Sequence, residues 1–437
     1  MFKLNVGLIG FGTVGAGVVD VLTSNKQLIE DRVGAEIVLK KVADLDITSD
    51  MGVKIDPASL TTDAMEIIND PEIDVIIELI GGCDQAMEYI SKAMEKKKHV
   101  ITANKALIAQ HGSLLFKKAE KHDVDIAFGG SVAGGIPIIR ALREGLAANQ
   151  IKSVLAILNG TSNYILTRMT QEGLSFNKAL SIAKELGYAE ADPTLDINGS
   201  DTAHKLTIIV SLAFGLPFTY EEIYREGIDR ISPEDVQFAG ELGYCLKLLA
   251  IARKTDGYIE ARVHPAFVPL DHILANVNDV YNAIYVEGDF AGPTLFYGLG
   301  AGRRPTGSAI VSDLIEIARN KIKGITRRVS PLSFARPSSK RLSIKPMDQV
   351  ITDYYFRFSA VDRPGVLSKI SGILGNNNIS IASVIQKRRE TNGSVPIVML
   401  THEAREKDVR DSLDIIDQLD VVTEKTILFR VEKNTGI

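Results

Sequence analysis

A short stretch near the middle of the chain combines acidic side chains with a lysine at a spacing that suits acid–base chemistry. Residues 190–196 read Glu-Ala-Asp-Pro-Thr-Leu-Asp, and the chain continues through Asp201 to Lys205. Asp201 and Lys205 are four residues apart, so on a helix they share one face. Clustered carboxylates can bind a cationic amine, and a lysine among them can transfer a proton. Taken alone, the same residues also describe an acidic helix start with a solvated ion pair.

A glycine-rich turn near the N-terminus predicts a nucleotide site. An apolar run from Leu4 to Ile9 leads into Gly10-Phe11-Gly12-Thr13-Val14-Gly15, after which a helix is predicted to about Leu22. The glycines permit a tight turn and close backbone approach, and the amides at the helix start would receive a pyrophosphate. An accidental glycine cluster is the alternative, but the position between a strand and a helix favours the nucleotide.

Asp44 ends the second predicted strand, Ile37 to Ala43, where a carboxylate would bond the ribose hydroxyls of adenosine. It lies further from the glycines than the usual spacing of about 20 residues, which we attribute to a long loop from Asn25 to Ala35. Asp44 could equally be a turn residue. Because Leu45 follows instead of an arginine, the sequence favours NAD, with NADP not excluded.

The elements around these motifs predict an α/β chain of several domains. In the first third, strands alternate with helices, which predicts a Rossmann-type parallel sheet covered on both faces; the further strands are Asp74–Ile80, His99–Thr102 and Val124–Phe128. From about Pro137 longer helices follow, at Phe176–Leu186, Thr202–Phe214 and Gly240–Arg253. Between and after these helices, strands are predicted at Ser153–Leu158, Tyr258–Phe267 and Val280–Val286. These residues predict an α+β domain for substrate binding and dimerisation.

The C-terminal residues predict a compact unit with the β-α-β-β-α-β order of the ferredoxin-like split arrangement. Its elements are Tyr354–Ala360, Val366–Asn376, Ser380–Lys387, Val395–Thr401, Lys407–Asp417 and Lys425–Arg430. We therefore expect a nucleotide-binding domain at 1–136, to which a helix at 307–321 returns, a substrate domain at 137–326, a linker at 327–350 and a C-terminal domain at 351–437.

Composition excludes several classes of function. The 437 residues are 45% apolar and 24% charged, with a formal net charge of -5, which is typical of a globular protein and argues against binding nucleic acid or a membrane surface. The basic runs at 96–98 and 387–389 are short enough to be solvated ends of elements. With two distant cysteines, no signal peptide and no apolar run that would span a bilayer, we expect a cytoplasmic protein.

Three further motifs each have two interpretations. Lys105 follows the strand end at 101–104, on the edge where parallel sheets bind ligands, but a surface lysine is common there. The turn at 159–164, Asn-Gly-Thr-Ser-Asn-Tyr, would cap a helix or bind a substrate carboxylate. The glycine loop at 300–307 would contact a dinucleotide or act as a hinge. Neither cysteine has an activating histidine nearby, Cys245 is predicted in an apolar helix, and the seven histidines show no metal-ligand spacing.

Taken in order, these motifs resemble the homoserine dehydrogenases that carry a C-terminal ACT domain. The resemblance covers nearly the whole chain and rests on six segments: GFGTVG at 10–15, ITANKALIA at 101–109, SVAGGIPII at 131–139, NGTSNYIL at 159–166, GYAEADPTLDINGSDTAHKL at 187–206 and GAGRRPTGSAIVSDL at 300–314. The resemblance implies reversible interconversion of L-homoserine and L-aspartate 4-semialdehyde with NAD or NADP, in the biosynthesis of threonine, methionine and isoleucine.

The resemblance also implies site residues. The paired catalytic lysines fall on Lys105 and Lys205. The substrate contacts fall on Thr161, Tyr188, Glu190, Asp196, Asp201 and Lys205, and the cofactor contacts on Gly10, Gly12, Thr13, Val14, Gly15, Asp44, Asn104, Lys105 and Gly302. Desolvation and a second nearby lysine both disfavour a charged ammonium, so two lysines in one cleft suit proton transfer better than one.

Two further expectations come from the resemblance alone. Many relatives bind Na⁺ or K⁺ through carbonyls that match Val132, Gly134 and Ile136 and through a glutamate that falls on Gly129 here, so the cation site is in doubt. The ACT unit, marked by Asp362, Gly365 and Ile379, would bind threonine between paired copies or serve only for dimerisation. A homodimer or homotetramer is expected.

Two rival functions remain open at this stage. One is another nicotinamide-dependent oxidoreductase, such as a phosphorylating semialdehyde dehydrogenase, which requires the nucleophilic cysteine that this sequence does not offer. The other is a non-catalytic amino-acid sensor, in which the ACT unit is the functional part and the first domain only binds nucleotide. The two lysines and the acid cluster argue against the sensor.

Overall fold

The protein is described by a computed structural model that covers residues 2–215, 220–255, 257–334, 342–386 and 394–433. Contacts divide the chain into two compact units. The first unit comprises Met1–Gly160, Asp201–Ile223 and Val280–Arg341, and the second comprises Thr161–Ser200, Tyr224–Asp279 and Leu342–Ile437. The basic run at 387–389 and the predicted linker residues 335–341 lie outside the described residues.

The elements are numbered in chain order. The strands are β1 (Phe2–Ile9), β2 (Ala35–Ala43), β3 (Leu60–Thr61), β4 (Val75–Glu78), β5 (His99–Thr102), β6 (Ile126–Ala127), β7 (Ile151–Ile157), β8 (Tyr224–Arg225), β9 (Tyr244–Thr255), β10 (Tyr258–Pro269), β11 (Tyr281–Gly288), β12 (Gly292–Leu299), β13 (Ser343–Ile344), β14 (Ile351–Val361), β15 (Ile381–Gln386), β16 (Ser394–Thr401), β17 (Ala404–Arg405) and β18 (Ile427–Val431). The helices are α1 (Thr13–Ser24), α2 (Lys26–Val33), α3 (Ala64–Asn69), α4 (Asp84–Glu95), α5 (Lys105–His122), α6 (Ile138–Arg140), α7 (Gly160–Glu172), α8 (Phe176–Glu185), α9 (Thr194–Ile197), α10 (Ser200–Phe214), α11 (Pro233–Glu241), α12 (Arg303–Ile322), α13 (Val366–Asn376) and α14 (Glu406–Ile416).

The first unit contains a parallel sheet with the strand order β3-β2-β1-β4-β5-β6, so the predicted Rossmann-type sheet is confirmed. Strands β4 and β5 are buried at every position, as expected for a parallel sheet that helices cover. Helix α12 contributes Ile310, Leu314 and Ile317 to the same core as Leu4 and Val6 of β1. A helix that lies much later in the chain therefore completes the core of this sheet.

A second, antiparallel sheet of the first unit joins β7, β11 and β12, with β11 between the other two. Strand β12 was not predicted, because its glycines at 292 and 298 resemble loop composition. Its burial alternates, and the exposed side chains include Leu295, Tyr297 and Leu299. This alternation is typical of a strand with one covered face and one open face.

The second unit is built on an antiparallel hairpin, β9–β10, whose strand β10 also pairs in parallel with β18. The sheet continues through β14 and β16 to β15, and α13 and α14 pack against it around a core that includes Tyr354 and Phe356 of β14 and Ile370 of α13. The predicted ferredoxin-like order of the C-terminal residues is confirmed. Strand β18 connects this fold directly to β10, so the two share a continuous sheet within the second unit.

Two predictions about secondary structure were wrong. The helix predicted from Gly240 to Arg253 is the end of α11 followed by strand β9, so Cys245 lies in a strand. A continuous apolar run cannot distinguish a buried strand from a helix, and pairing with β10 decides it here. The loop predicted from Asn25 to Ala35 contains α2, whose Ile29 and Val33 are buried four residues apart. None of the described helices is long and apolar enough to cross a bilayer.

Candidate active site

The carboxylate of Asp201 lies between the two predicted catalytic lysines in the first unit. One oxygen accepts a hydrogen bond from Lys205 Nζ at 2.7 Å, and the other lies 3.1 Å from Lys105 Nζ. Asn159 Nδ2 donates to the same carboxylate at 2.8 Å, and Lys205 Nζ also donates to the carbonyl of Leu158 at 2.7 Å. Residues from three distant parts of the chain thus form one hydrogen-bonded group.

Three elements hold this group. Asp201 and Lys205 lie one turn apart on α10, which is buried along its whole length, while Leu158 and Asn159 follow the end of β7. Lys105 begins α5, and 42% of its side chain is exposed, in contrast to the buried Lys205. Although burial opposes ionisation, the charges of Lys205 and Lys105 lower the pKa of Asp201, so its carboxylate stays ionised between them.

Glu78, which was not singled out in the sequence, and Asn104, a predicted cofactor contact, organise the sheet edge before Lys105. Glu78, at the end of β4, is fully buried and accepts from Thr102 Oγ1 at 2.6 Å, and burial raises its pKa. The Asn104 side chain accepts from the amide of Leu107 at 3.0 Å and donates to the carbonyl of Gly82 at 2.5 Å. One signal in the sequence could have identified Glu78, because an acidic residue at the end of an apolar strand is buried and a buried charge needs a specific partner.

The glycine loop after β1 has the geometry that dinucleotide binding requires. A Cβ at Gly10, where φ is +101°, would lie 2.7 Å from the backbone of Leu79, and one at Gly15 would lie 2.3 Å from the carbonyl oxygen of Gly10. At Gly12, by contrast, a Cβ would meet nothing within 4 Å. The first and third glycines therefore serve close packing, and the second leaves open space at the start of α1.

Asp44 supports this loop from the end of β2. Its carboxylate accepts hydrogen bonds from the amide of Phe11 and, at 3.0 Å, from the amide of Asp46. Thr13 and Val14 form the first turn of α1, where Gly12 is the N-cap and no side chain among the described residues caps the helix. The amides of this turn remain suited to an anion such as a pyrophosphate.

The second glycine loop also meets the nucleotide-binding helix. Gly302 is exposed, has φ of +121° and precedes α12. Helix α12 crosses α1 so closely that a Cβ at Gly17 would lie 2.0 Å from the carbonyl oxygen of Arg303. A Cβ at Gly307 would in turn lie 2.6 Å from the backbone of Gly17. The glycines of this loop allow two helices to pack at backbone distance.

The acid loop, residues 188–198, belongs to the second unit and is held by the first turn of α7. Thr161 Oγ1 donates to the carbonyl of Tyr188 at 2.6 Å, and the buried Ser162 Oγ donates to the carbonyl of Asp196 at 2.8 Å. The turn at 159–164 thus fixes both ends of the loop. Glu190 is exposed between these two points, so its carboxylate remains accessible.

The residues at the expected cation site do not form the ligand set of the family. Gly129 offers no side-chain oxygen, and its amide donates to Asp313 at 2.7 Å. A Cβ at Gly129 would lie 2.7 Å from the Asp313 carboxylate, so that carboxylate fills the space that a larger side chain at position 129 would enter. The carbonyl of Ile136 accepts from the amide of Ile138, and no group of three metal-binding side chains occurs among the described residues. We derive no step through a cation at Val132, Gly134 and Ile136.

The predicted effector residues lie at the start of α13 and just after its end. Gly365 is exposed, with φ of +90°, as the N-cap of α13, and Asp362 is half-buried on the preceding turn. Ile379, in contrast, is 3% exposed and packs in the ACT core, so an effector there would meet its backbone and not its side chain.

A cavity of about 560 Å³ in the first unit is not lined by either lysine. It lies beside α5 and α12 and is covered by residues 327–332 and Phe334. Cavity size therefore does not mark the reactive groups. The two cysteines are both free, and burial raises the pKa of each thiol, which agrees with the prediction that neither is a nucleophile.

Comparison with known proteins agrees with this geometry. Three sequence profiles match: the homoserine dehydrogenase NAD-binding domain at residues 10–129, homoserine dehydrogenase at 137–315 and the ACT domain at 354–421. A homoserine dehydrogenase from Neisseria gonorrhoeae is 45% identical over 99% of both chains, and one from Bacillus subtilis is 38% identical over the same shares.

Solved structures of similar proteins cover the same residues. A homoserine dehydrogenase crystal structure from Thiobacillus denitrificans has a TM-score of 0.92 at 44% identity and covers 99% of this chain and 98% of its own. A hyperthermophilic archaeal homoserine dehydrogenase in complex with NADPH has a TM-score of 0.63 at 26% identity, over 75% of this chain and all of its own.

Proposed function

Because the chain belongs to the homoserine dehydrogenase family and is an oxidoreductase, we propose that it interconverts L-homoserine and L-aspartate 4-semialdehyde through proton transfer by Lys205. The observation that carries this proposal is the group Lys105–Asp201–Lys205, in which one ionised carboxylate holds two ammonium groups. Oxidation of the alcohol releases a hydroxyl proton, and reduction of the aldehyde requires one at the same oxygen. A positioned lysine meets both needs.

A nicotinamide cofactor would be held by the glycine loop and supplies hydride transfer when it is bound. The turn Gly12–Val14 would bind the pyrophosphate through backbone amides, with Gly10 and Gly15 allowing the close packing behind it. We propose that Asp44 meets the ribose hydroxyls and favours NAD over NADP, since its negative charge would repel a 2′-phosphate. Asn104 and Gly302 are proposed as further contacts of the cofactor.

The two lysines are proposed to have different roles. Lys205 is buried and held by Asp201 and Leu158, which suits a group that gives or takes a proton at one fixed atom. Lys105 is partly exposed at the sheet edge, which suits a group that positions the substrate oxygen or relays the proton. Both act on the oxygen at C4 of the substrate.

The amino-acid end of the substrate is proposed to bind the acid loop. Glu190 is exposed and carries the charge that an ammonium group requires, and Asp196, Thr161 and Tyr188 accompany it. Asp201 already accepts from three donors, so we assign it to orienting the lysines. With this assignment, the residues that bind the substrate ammonium group differ from the residues that transfer the proton.

The C-terminal fold and the exposed face of β12 support a proposal about regulation and assembly. We propose that the ACT fold binds threonine near Asp362 and Gly365, and that the protein works in the cytoplasm as a homodimer or homotetramer. The open face of β12, with exposed Leu295, Tyr297 and Leu299, supports a contact between copies of the chain, because apolar side chains in one row favour burial.

The test is absorbance at 340 nm with L-homoserine and NAD⁺ or NADP⁺, with and without threonine, for the wild type and Lys205→Ala. We expect turnover by the wild type and a fall in kcat of about 100-fold or more for the variant, the usual range for a general acid–base group. A folded Lys205→Ala variant with near-normal kcat would remove Lys205 from this role. A folded wild type without turnover on either cofactor would favour the amino-acid sensor.

A further inference from the structure

The acid loop has a second support within the second unit, at residues 226–228. The amide of Ile228 donates to the carbonyl of Ile197 at 2.9 Å. A Cβ at Gly227 would lie 2.5 Å from the same carbonyl oxygen, so the two backbones touch. A Cβ at Gly199, on the other side of the loop, would lie 3.1 Å from the carbonyl oxygen of Glu226. Any shift of residues 226–228 therefore moves the C-terminal end of the acid loop.

The side chain of Glu226 is held by arginines of the ACT fold. Arg430 of β18 donates to both of its oxygens, at 3.0 and 3.2 Å, and Arg410 of α14 donates at 2.9 Å. Both arginines also bind Glu406, at 2.8 Å from Arg430 Nε and 2.9 Å from Arg410 Nε. Tyr224 completes this Glu226 cluster through its hydroxyl. The carboxylates of Glu226 and Glu406 therefore alternate with the guanidinium groups of Arg410 and Arg430 in a closed ring of hydrogen bonds.

The cluster is unusual in its burial. Arg430 is fully buried and Glu406 nearly so, so their charges depend on each other and on Glu226 for compensation. Burial opposes ionisation of Glu226, but the charge of Arg430 lowers its pKa to about 2, so the carboxylate is charged at any working pH. Removing that one charge leaves two arginines with a single carboxylate between them.

We infer that Glu226 is a positioning residue for homoserine binding, through which α14 and β18 of the ACT fold set the place of the acid loop. The inference rests on the proposed role of the acid loop in binding the substrate ammonium. Its structural basis is that three consecutive residues connect the arginines to the loop. Arg430 binds the carboxylate of Glu226, Gly227 follows, and the amide of Ile228 donates to the carbonyl of Ile197. Glu226 touches no reacting atom, so its effect is on substrate binding.

The inference predicts that the KM for homoserine changes much more than kcat or the KM for the cofactor. Glu226→Gln should raise KM for homoserine on the order of tenfold, because the loop loses a fixed support, while kcat and KM for the cofactor stay within about twofold. A purely structural role would instead lower active enzyme, and hence kcat, without a selective change in the homoserine KM. Glu226→Asp, which keeps the charge, should restore part of the homoserine affinity.

The experiment measures both KM values and kcat for Glu226→Gln, Glu226→Asp and Arg410→Gln in the full-length protein. Lys407→Gln is the matched control for Arg410→Gln, since Lys407 lies on the same helix and its ion pair within the described part of the chain is with Asp411, at 2.7 Å. Arg410→Gln should raise the homoserine KM in the same direction as Glu226→Gln but by less. When Glu226→Gln and Arg410→Gln are combined, the homoserine KM should rise by less than the product of the two single increases, because both changes act on the same cluster.

Three outcomes decide between the hypotheses. A homoserine KM within twofold of wild type in folded Glu226→Gln would overturn the inference and leave the proposed function intact. No homoserine turnover by the wild type would overturn the proposed function first. If Glu226→Gln does not fold, Arg410→Gln decides, because 44% of the Arg410 side chain is exposed and its loss leaves Glu406 and Arg430 paired.

Discussion

Replacing Asp201 by asparagine tests the centre of the candidate active site. The carboxylate accepts from Lys205 and Asn159 on one oxygen and faces Lys105 with the other. An amide of the same shape has one acceptor oxygen, so its NH₂ group must point at one of the two ammonium groups. The best arrangement keeps the bonds to Lys205 and Asn159 and gives up the pairing with Lys105.

The expected loss follows from the strength of that pairing. A hydrogen bond to a charged group contributes about 1.5–3 kcal/mol, and each 1.4 kcal/mol is a factor of ten, so kcat/KM should fall roughly 10- to 100-fold. The loss should appear in both directions of the reaction, because the same lysines act on the same oxygen in each. Stability should also fall, since a buried ammonium loses its counter-charge.

The assay is steady-state kinetics at 340 nm in both directions, with the melting temperature of each variant as a measure of folding. Asp31→Asn is the matched control, because Asp31 is exposed on α2, away from the lysines and the acid loop, and its carboxylate accepts from Gln27 Nε2 at 2.9 Å. The control should keep kcat/KM within about twofold. A folded Asp201→Asn variant within threefold of wild type would refute the role of the carboxylate. If that variant does not fold, Lys105→Met tests the same pair from its exposed side and should lose at least tenfold.

Two other predictions concern stability and the cofactor. Burial raises the pKa of Asp313 to about 6 from 3.8, so its protonated form stabilises the folded state below about pH 4, and this contribution is lost as the pH rises through 6. In urea unfolding, the free energy of unfolding of Asp313→Asn relative to that of the wild type should therefore rise by up to about 3 kcal/mol between pH 4 and pH 8. A difference that is independent of pH would contradict this prediction. Asp44→Ala removes the acceptor for the amides of Phe11 and Asp46 and should raise KM for NAD⁺ about tenfold. The same variant should raise KM for NADP⁺ by less. If the ratio of the KM for NAD⁺ to the KM for NADP⁺ does not change, Asp44 is not the residue that selects between the two cofactors.

Local patterns predicted the motifs well because their causes are local. The glycines at 10, 12 and 15 belong to one turn between β1 and α1, and the atom that a Cβ at Gly15 would meet is the carbonyl oxygen of Gly10, although Gly10 itself packs on the distant Leu79. The spacing of Asp201 and Lys205 on one helix is likewise a local property, and the two are bonded as predicted. The identity of the strand β9 is different, because its pairing with β10 and not its composition decides between strand and helix.

Long-range contacts explain what the sequence could not show. Asn159 and Glu78 gain their roles from partners 42 and 24 residues away, so no spacing rule marks them. The same applies to Glu226, whose partners Arg410 and Arg430 lie 184 and 204 residues further along the chain. Such residues become visible only when the fold places their charges together.

The contacts of Asp201 also decide how charge is divided in the proposed mechanism. From the sequence, Asp201 was expected to share a helix face with Lys205 and to be a contact of the substrate. With two ammonium groups already beside its two oxygens, a third cation would meet one carboxylate and two like charges, which is unfavourable in a buried setting. In the proposed mechanism the ammonium therefore needs a carboxylate that no ammonium or guanidinium group already occupies, and Glu190, which is exposed on the acid loop, is proposed for that role. We therefore propose that the support of that loop by Ser162 and Ile228 sets substrate affinity, while the lysine group sets the rate of proton transfer.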